Sequence, residues 1–168
     1  MRTIAWIAVA GALCTAVASA APAPHVGIAG LADLPVVVRA PYDESANADK
    51  DVAAAFARAR HSHKRVLVDL GGNWCGDCVV LANIMQLPEV KRFVEAHYEV
   101  VSVDIGRENK NLQIPARFGV DLAGGVPTVL IVTADGRTVI DAGHIAALED
   151  ARHMTPQGIA DWLAQWAS

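Results

Sequence analysis

The sequence predicts an α/β domain preceded by an extended N-terminal arm. Segments with apolar residues at helical spacing alternate with short β-branched runs, and Gly and Pro punctuate the joins between them. Beyond the first twenty residues the chain is about 148 residues long, the size of one domain with a respectable core. After a leading helix the elements read βαβα and then ββα.

Residues 1–20 are set apart. Arg2 gives a basic start, residues 4–17 form an apolar run, and Ala18-Ser19-Ala20 precedes the Pro-rich Ala21-Pro22-Ala23-Pro24. That is the layout of a secretory signal peptide, with cleavage expected after Ala20. The run is shorter than the ~18–20 apolar residues that span a bilayer, which weighs against a membrane anchor. Bulky Leu13 before Cys14 weighs against a lipoprotein signal. The finished chain is expected to be periplasmic or secreted and not membrane-embedded.

Residues 21–48 form the arm, because Pro22, Pro24, Pro35 and Pro41 exclude regular helix, although residues 34–38 are able to lend an edge strand. From residue 49 onward, the domain opens with an amphipathic helix carrying Val52, Ala55, Phe56 and Ala59, capped by Asn47 or Asp49. Residues 65–70 are a β-branched run ended by Gly71-Gly72 and read as a buried strand. Helical spacing resumes at Cys75 and runs to Met85, and Pro88 forces a kink or restart before Val90, Phe93 and Val94. A strand at 98–103, a short helix near 109–118 and a strand at 126–132 follow. Asp135-Gly136 then turns the chain into a hairpin with residues 138–140. Thr155 and Pro156 open the last helix as N-cap and N1.

Composition excludes some functions. The formal net charge is −4, and the basic residues are scattered, so no nucleic-acid footprint is present. Of three cysteines, Cys14 falls in the signal, leaving Cys75 and Cys78. An exported protein stabilised by disulfides usually carries several widely spaced pairs. A single pair three residues apart reads instead as a working thiol couple. A zinc half-site and an inert disulfide stay open as alternatives, but no second Cys/His cluster stands at metal-binding spacing, and His61 and His63 read as solvent-facing. No bound metal or cofactor is expected.

The succession of strand, Trp74-Cys75-Gly76-Asp77-Cys78, helix, strand, helix, Gly125-Val126-Pro127-Thr128 strand, hairpin and terminal helix resembles the thioredoxin superfamily over residues 49–168. Within it the chain is most similar to exported thioredoxin-like proteins and to the periplasmic C-terminal domain of thiol:disulfide interchange reductases. The resemblance implies the thioredoxin fold, a central mixed β-sheet flanked by helices.

Cysteines at i and i+3 on a first helical turn can close a small ring, so a mixed disulfide is resolved internally. At the helix N-terminus Cys75 faces unpaired N–H groups that favour thiolate, which makes it the attacking sulfur. Cys78, one turn deeper, is the resolving thiol. By resemblance, Asp69 is the buried acid beneath Cys78 and assists its deprotonation. A carboxylate hydrated at the strand end is the other reading. Pro127 matches the family's cis-proline, against a trans edge-strand proline from sequence alone. Val126 would then offer its backbone to an extended peptide, and Trp74 would supply an apolar platform unless it is simply core. Gly76, Asp77 and Gly143 complete the substrate-binding set that the resemblance implies.

Several positions depart from the family pattern. Asp77 stands where proline is usual, and a carboxylate between the cysteines disfavours a neighbouring thiolate, which argues against a strongly oxidising couple. Gly71-Gly72 suggests a more open groove. Residues 119–125 form a longer turn into the proline, and no lysine in strand 98–103 pairs with Asp69. Residues 144–153 are an added segment positioned to cover part of the site. Its His144 reads as a solvated loop residue or as a group that tunes Cys75. The expected activity is thiol:disulfide exchange on protein or small-thiol disulfides, reducing or isomerising, fed by a membrane thiol reductase. A Cu(I)-holding binding module and a disulfide-forming oxidase are the alternatives.

Overall fold

In a computed structural model, residues 21–167 other than Ala123 are described. The expected signal at 1–20, with Cys14, lies outside the described residues. Among the described residues, no helix is long and apolar enough to cross a membrane.

Three strands form the sheet: β1 (Arg65–Gly71) in the centre, β2 (Tyr98–Asp104) parallel on one side and β3 (Thr128–Val132) antiparallel on the other. The sheet is mixed, as the thioredoxin fold requires. α1 (Ala48–Ser62) leads, capped by the Asn47 carboxamide accepting from Lys50 N. The crossover from β1 to β2 contains α2 (Gly76–Ile84) and α3 (Pro88–His97), so Pro88 restarts a helix at its first position, where its missing N–H costs nothing. Two further α-helices among the described residues are the short α4 (Gln113–Ala116) and α5 (Pro156–Gln165), which closes the fold under its Thr155 cap.

Side-chain alternation along β1 explains the two halves of the core. Val66, Val68 and Leu70 pack with α1 residues Val52, Ala55 and Ala59, while Leu67 joins Leu81, Ile84, Val90, Ile159 and Leu163 from α2, α3 and α5. Each fully buried aliphatic of this kind contributes about 1.5–3 kcal/mol relative to exposure.

Two expected elements are reduced. The helix expected near 109–118 survives only as α4, because Gly106, Glu108 and Asn111 take left-handed conformations and the Asn109 and Asn111 side chains bond loop backbone. The strand expected at 138–140 shrinks to one bridge, Val132 to Val139. The reason lies at Asp141, whose Oδ1 accepts from Ile131 N at 2.9 Å and replaces the carbonyl that a continuing strand would supply. Elsewhere on β3, Val129 N turns to the carbonyl of Ile145 in the added segment.

The described part of the arm holds no strand, contrary to the edge strand anticipated at 34–38. The amides of Val37 and Val38 both donate to Asn83 Oδ1, and Asn83 Nδ2 donates to Val38 O, so an α2 side chain satisfies the backbone a sheet edge would have paired. Farther out, the Gln157 carboxamide joins the arm at Val26 N and Pro24 O.

Candidate active site

Cys75 and Cys78 are joined as a disulfide, with their Cα atoms 5.3 Å apart. Cys75 is the N-cap of α2, and its sulfur accepts from Cys78 N at 3.1 Å. A sulfur at that place carries negative charge readily, because helix N–H groups point at it. Cys78 is wholly enclosed, while Cys75 retains slight exposure. The Val126 carbonyl oxygen lies 3.4 Å from Cys75 Sγ, and the Val126–Pro127 peptide bond is cis. The structure therefore brings the WCGDC turn and the Val126-Pro127 turn together.

Trp74 is 46 % exposed, so it is not core. Its Nε1 donates to Gly106 O at 2.6 Å, and the Arg107 guanidinium lies 5.1 Å over the ring. These contacts fix the ring, which stays nearly half exposed next in sequence to Cys75.

Asp69 is fully buried at the middle of β1, opposite Ser102 of β2. Burial pushes its carboxyl up to about 6, against the pull of hydrogen bonds from Tyr42 and Ser102. Tyr42 Oη donates to Oδ1 at 2.8 Å, and Ser102 Oγ to Oδ2 at 3.4 Å. An acid titrating near neutrality can exchange a proton during turnover.

Asp77 is buried at the start of α2, with its carboxylate turned to Arg152. Its carboxylate accepts from Arg152 N at 2.9 Å and from Arg152 Nε at 3.0 Å, and an ion pair to Nη2 at 3.0 Å completes the clamp. The guanidinium sits against the carboxylate that was to repel a thiolate and offsets its charge, which weakens the case from Asp77 against an oxidising couple. The same arginine flanks Gly76, where an added Cβ would lie 3.3 Å from its side chain. The added segment at 144–153 thus covers one flank of the site through Arg152. His144 packs on Trp166, with ring centroids 5.4 Å apart.

The groove expected beside Gly71-Gly72 is filled. A Cβ on Gly71 would overlap the Tyr42 hydroxyl and stand 2.8 Å from Cys78 Sγ, and one on Gly72 would meet Trp74 Nε1 at 2.6 Å. Gly143 is exposed, at φ +89°, in a turn closed by His144 N donating to Asp141 O.

A family model described as thioredoxin-like matches residues 47–134, the span that carries both turns of this site. The chain belongs to the thioredoxin-like family. A thioredoxin of Alicyclobacillus acidocaldarius subsp. acidocaldarius is 35 % identical over 86 residues, 51 % of this chain and 73 % of that protein. Among solved structures, the disulphide isomerase of Xylella fastidiosa Temecula1 is similar at a TM-score of 0.68 and 35 % identity, over 74 % of this chain and 95 % of that one. With its cysteine pair at a helix N-terminus, this family member is a thiol:disulfide oxidoreductase.

Sequence reasoning missed Tyr42, Asn73, Ser102 and Arg152. Tyr42 had one signal, being the sole Phe, Trp or Tyr of residues 21–48. Arg152 had none, since only the packing of the added segment against α2 brings it to Asp77.

Proposed function

We propose that this family member acts outside the cytoplasm, reducing or isomerising disulfides of protein or small-thiol substrates. The observation that carries this reading is the bonded Cys75–Cys78 pair beside the Val126 carbonyl and the exposed Trp74 face, a place where an extended peptide can lie against the attacking sulfur. The 35 % identity to the disulphide isomerase of Xylella fastidiosa Temecula1 supports the direction.

In the reduced chain, the Cys75 thiolate attacks a substrate disulfide, forms a mixed disulfide and releases one substrate thiolate. Cys78 gives its proton to Asp69 and attacks Cys75 Sγ, closing the ring and expelling the second thiolate. Two electrons pass to the substrate, and the released thiolates take up protons. Isomerisation ends earlier, when a thiolate of the substrate itself displaces Cys75. Pro127 shapes the turn that presents Val126. Resetting the pair needs a dithiol donor, and a membrane thiol reductase fits an oxidising compartment.

The test is the reduction potential of the pair in residues 21–168, equilibrated against defined thiol buffers. A value near about −270 mV is expected, and one near about −120 mV would mark an oxidant and overturn the direction. In parallel, Cys75→Ser is expected to abolish disulfide reduction, and Cys78→Ser to accumulate a mixed disulfide visible by mass spectrometry. Mass spectrometry of the secreted chain tests export, with Ala21 expected as its first residue.

A further inference from the structure

Tyr42 lies outside the segment that the family model matches, yet it is one of the most completely buried side chains of the molecule. Its backbone is clamped reciprocally by the residue before the tryptophan of the motif: Tyr42 N donates to Asn73 Oδ1 at 3.0 Å, and Asn73 Nδ2 donates to Tyr42 O at 2.9 Å. Asn73 Nδ2 also reaches Glu44, and Lys110 Nζ donates to Glu44 O, so this part of the arm is fastened at three points. The clamp delivers the phenol to one place. Its hydroxyl donates to Asp69 Oδ1 at 2.8 Å and stands with Cys78 Sγ against the bare α-carbon of Gly71.

We infer that Tyr42 is a positioning residue for the resolving half of the reaction: held by Asn73, it donates to Asp69 and sets the proton affinity of the acid that serves Cys78. The inference rests on the reading of Asp69 as the proton acceptor for Cys78. Burial, and then the neighbouring Asp69 charge, hold the phenol well above its ordinary value, so it remains a donor at every working pH. A hydrogen bond to the ionised form of an acid lowers that acid's proton affinity, while burial raises it. Tyr42 therefore offsets part of the burial of Asp69 and keeps the carboxylate populated near neutrality.

Other groups around Asp69 are accounted for among the described residues. The arm brings Tyr42. β2 brings Ser102 at 3.4 Å and, next to the phenol, Asp104, which is paired with Lys110 at 2.7 Å. β3 brings Val129, the register partner of Asp69, and α2 brings Cys78, whose Sγ stands with the phenol at Gly71. Among the described residues no lysine or arginine pairs with the acid, so the phenol is its shortest polar contact.

The test uses residues 21–168 with Tyr42→Phe, which keeps the ring and the backbone clamp and deletes only the hydroxyl. The measurement is the pH profile of single-turnover reduction of a disulfide peptide, with iodoacetamide alkylation of Cys75 followed in the same buffers. The rising limb is expected to move up by about one pH unit, the size of one hydrogen bond to a charged acceptor, while the alkylation profile stays in place. In the Asp69→Asn background the hydroxyl should make no difference. A Tyr42→Phe profile that superimposes on the parent, or a shift that persists with Asp69→Asn, overturns the inference. If Asp69→Asn itself leaves the limb in place, the assignment of Asp69 fails, and the role of Tyr42 falls with it. Should Tyr42→Phe not fold, 3-fluorotyrosine at position 42 keeps every contact with a stronger donor, and the limb must then move down.

Discussion

Gly71 shows how closely the residues around the sulfurs are fitted. It ends β1 with no side chain, and the space a Cβ would take is occupied by the Tyr42 hydroxyl and Cys78 Sγ. Both neighbours are fixed, one by Asn73 and the other by its helix, so they cannot give way cheaply. Gly71→Ala is expected to cost about 1–3 kcal/mol through overpacking, read as a lower denaturant midpoint. An unchanged midpoint would mean that the arm yields and that Tyr42 is not held as described. Asp77 makes the opposite point about reading charge from sequence. A carboxylate between two cysteines suggests repulsion of a thiolate, but three contacts from Arg152 offset its charge.

At the scale of elements, the arm and α2 depend on each other. Asn83 is buried on α2 and spends both ends of its amide on the arm, accepting from Val37 N and Val38 N and donating to Val38 O. Asn83→Ala removes those bonds, and because the freed arm groups can reach water, the loss is expected to be about 2 kcal/mol. Hydrogen exchange gives the sharper check: the Val37 and Val38 amides should lose protection while those of β1 keep theirs. Continued protection at Val37 and Val38 would show that the arm is held elsewhere. The same logic explains the missing fourth strand, where the Asp141 carboxylate takes the Ile131 amide and stops the ladder.

At the scale of the whole molecule, two buried acids among the described residues, Asp69 and Asp141, have carboxyls that burial pushes up to about 6. In the unfolded chain such groups titrate near about 3.9. Between those values the native state binds more protons than the unfolded one, so stability falls as pH rises through the window and stays reduced above it. Asp69→Asn is expected to stabilise the chain by up to about 3 kcal/mol at pH 7 and by nothing near pH 3.5, measured by thermal melts across pH. A gain of equal size at both pH values would exclude titration as its source. Glu89, held low by the Gly27 amide, acts in the opposite sense and only at more acidic pH.

Local chemistry made much of this molecule legible in advance. The β-branched run of β1, the Asn47 and Thr155 caps and the restart at Pro88 follow from short-range rules, because each depends on neighbours within one helical turn or one strand. The cysteine pair at a helix start is equally local, and it points to thiol–disulfide exchange by itself. What required the three-dimensional arrangement is everything set by distant partners: Tyr42 reaching Asp69 across 27 positions, Arg152 reaching Asp77 across 75, and Asn83 taking the place of a sheet edge. Hydrogen bonds and ion pairs of that kind leave no periodic trace in the chain, since any donor at the right point in space serves. Fold class and reacting sulfurs were therefore readable from local pattern, whereas the electrostatic surroundings in which those sulfurs work came from packing between segments far apart in the chain.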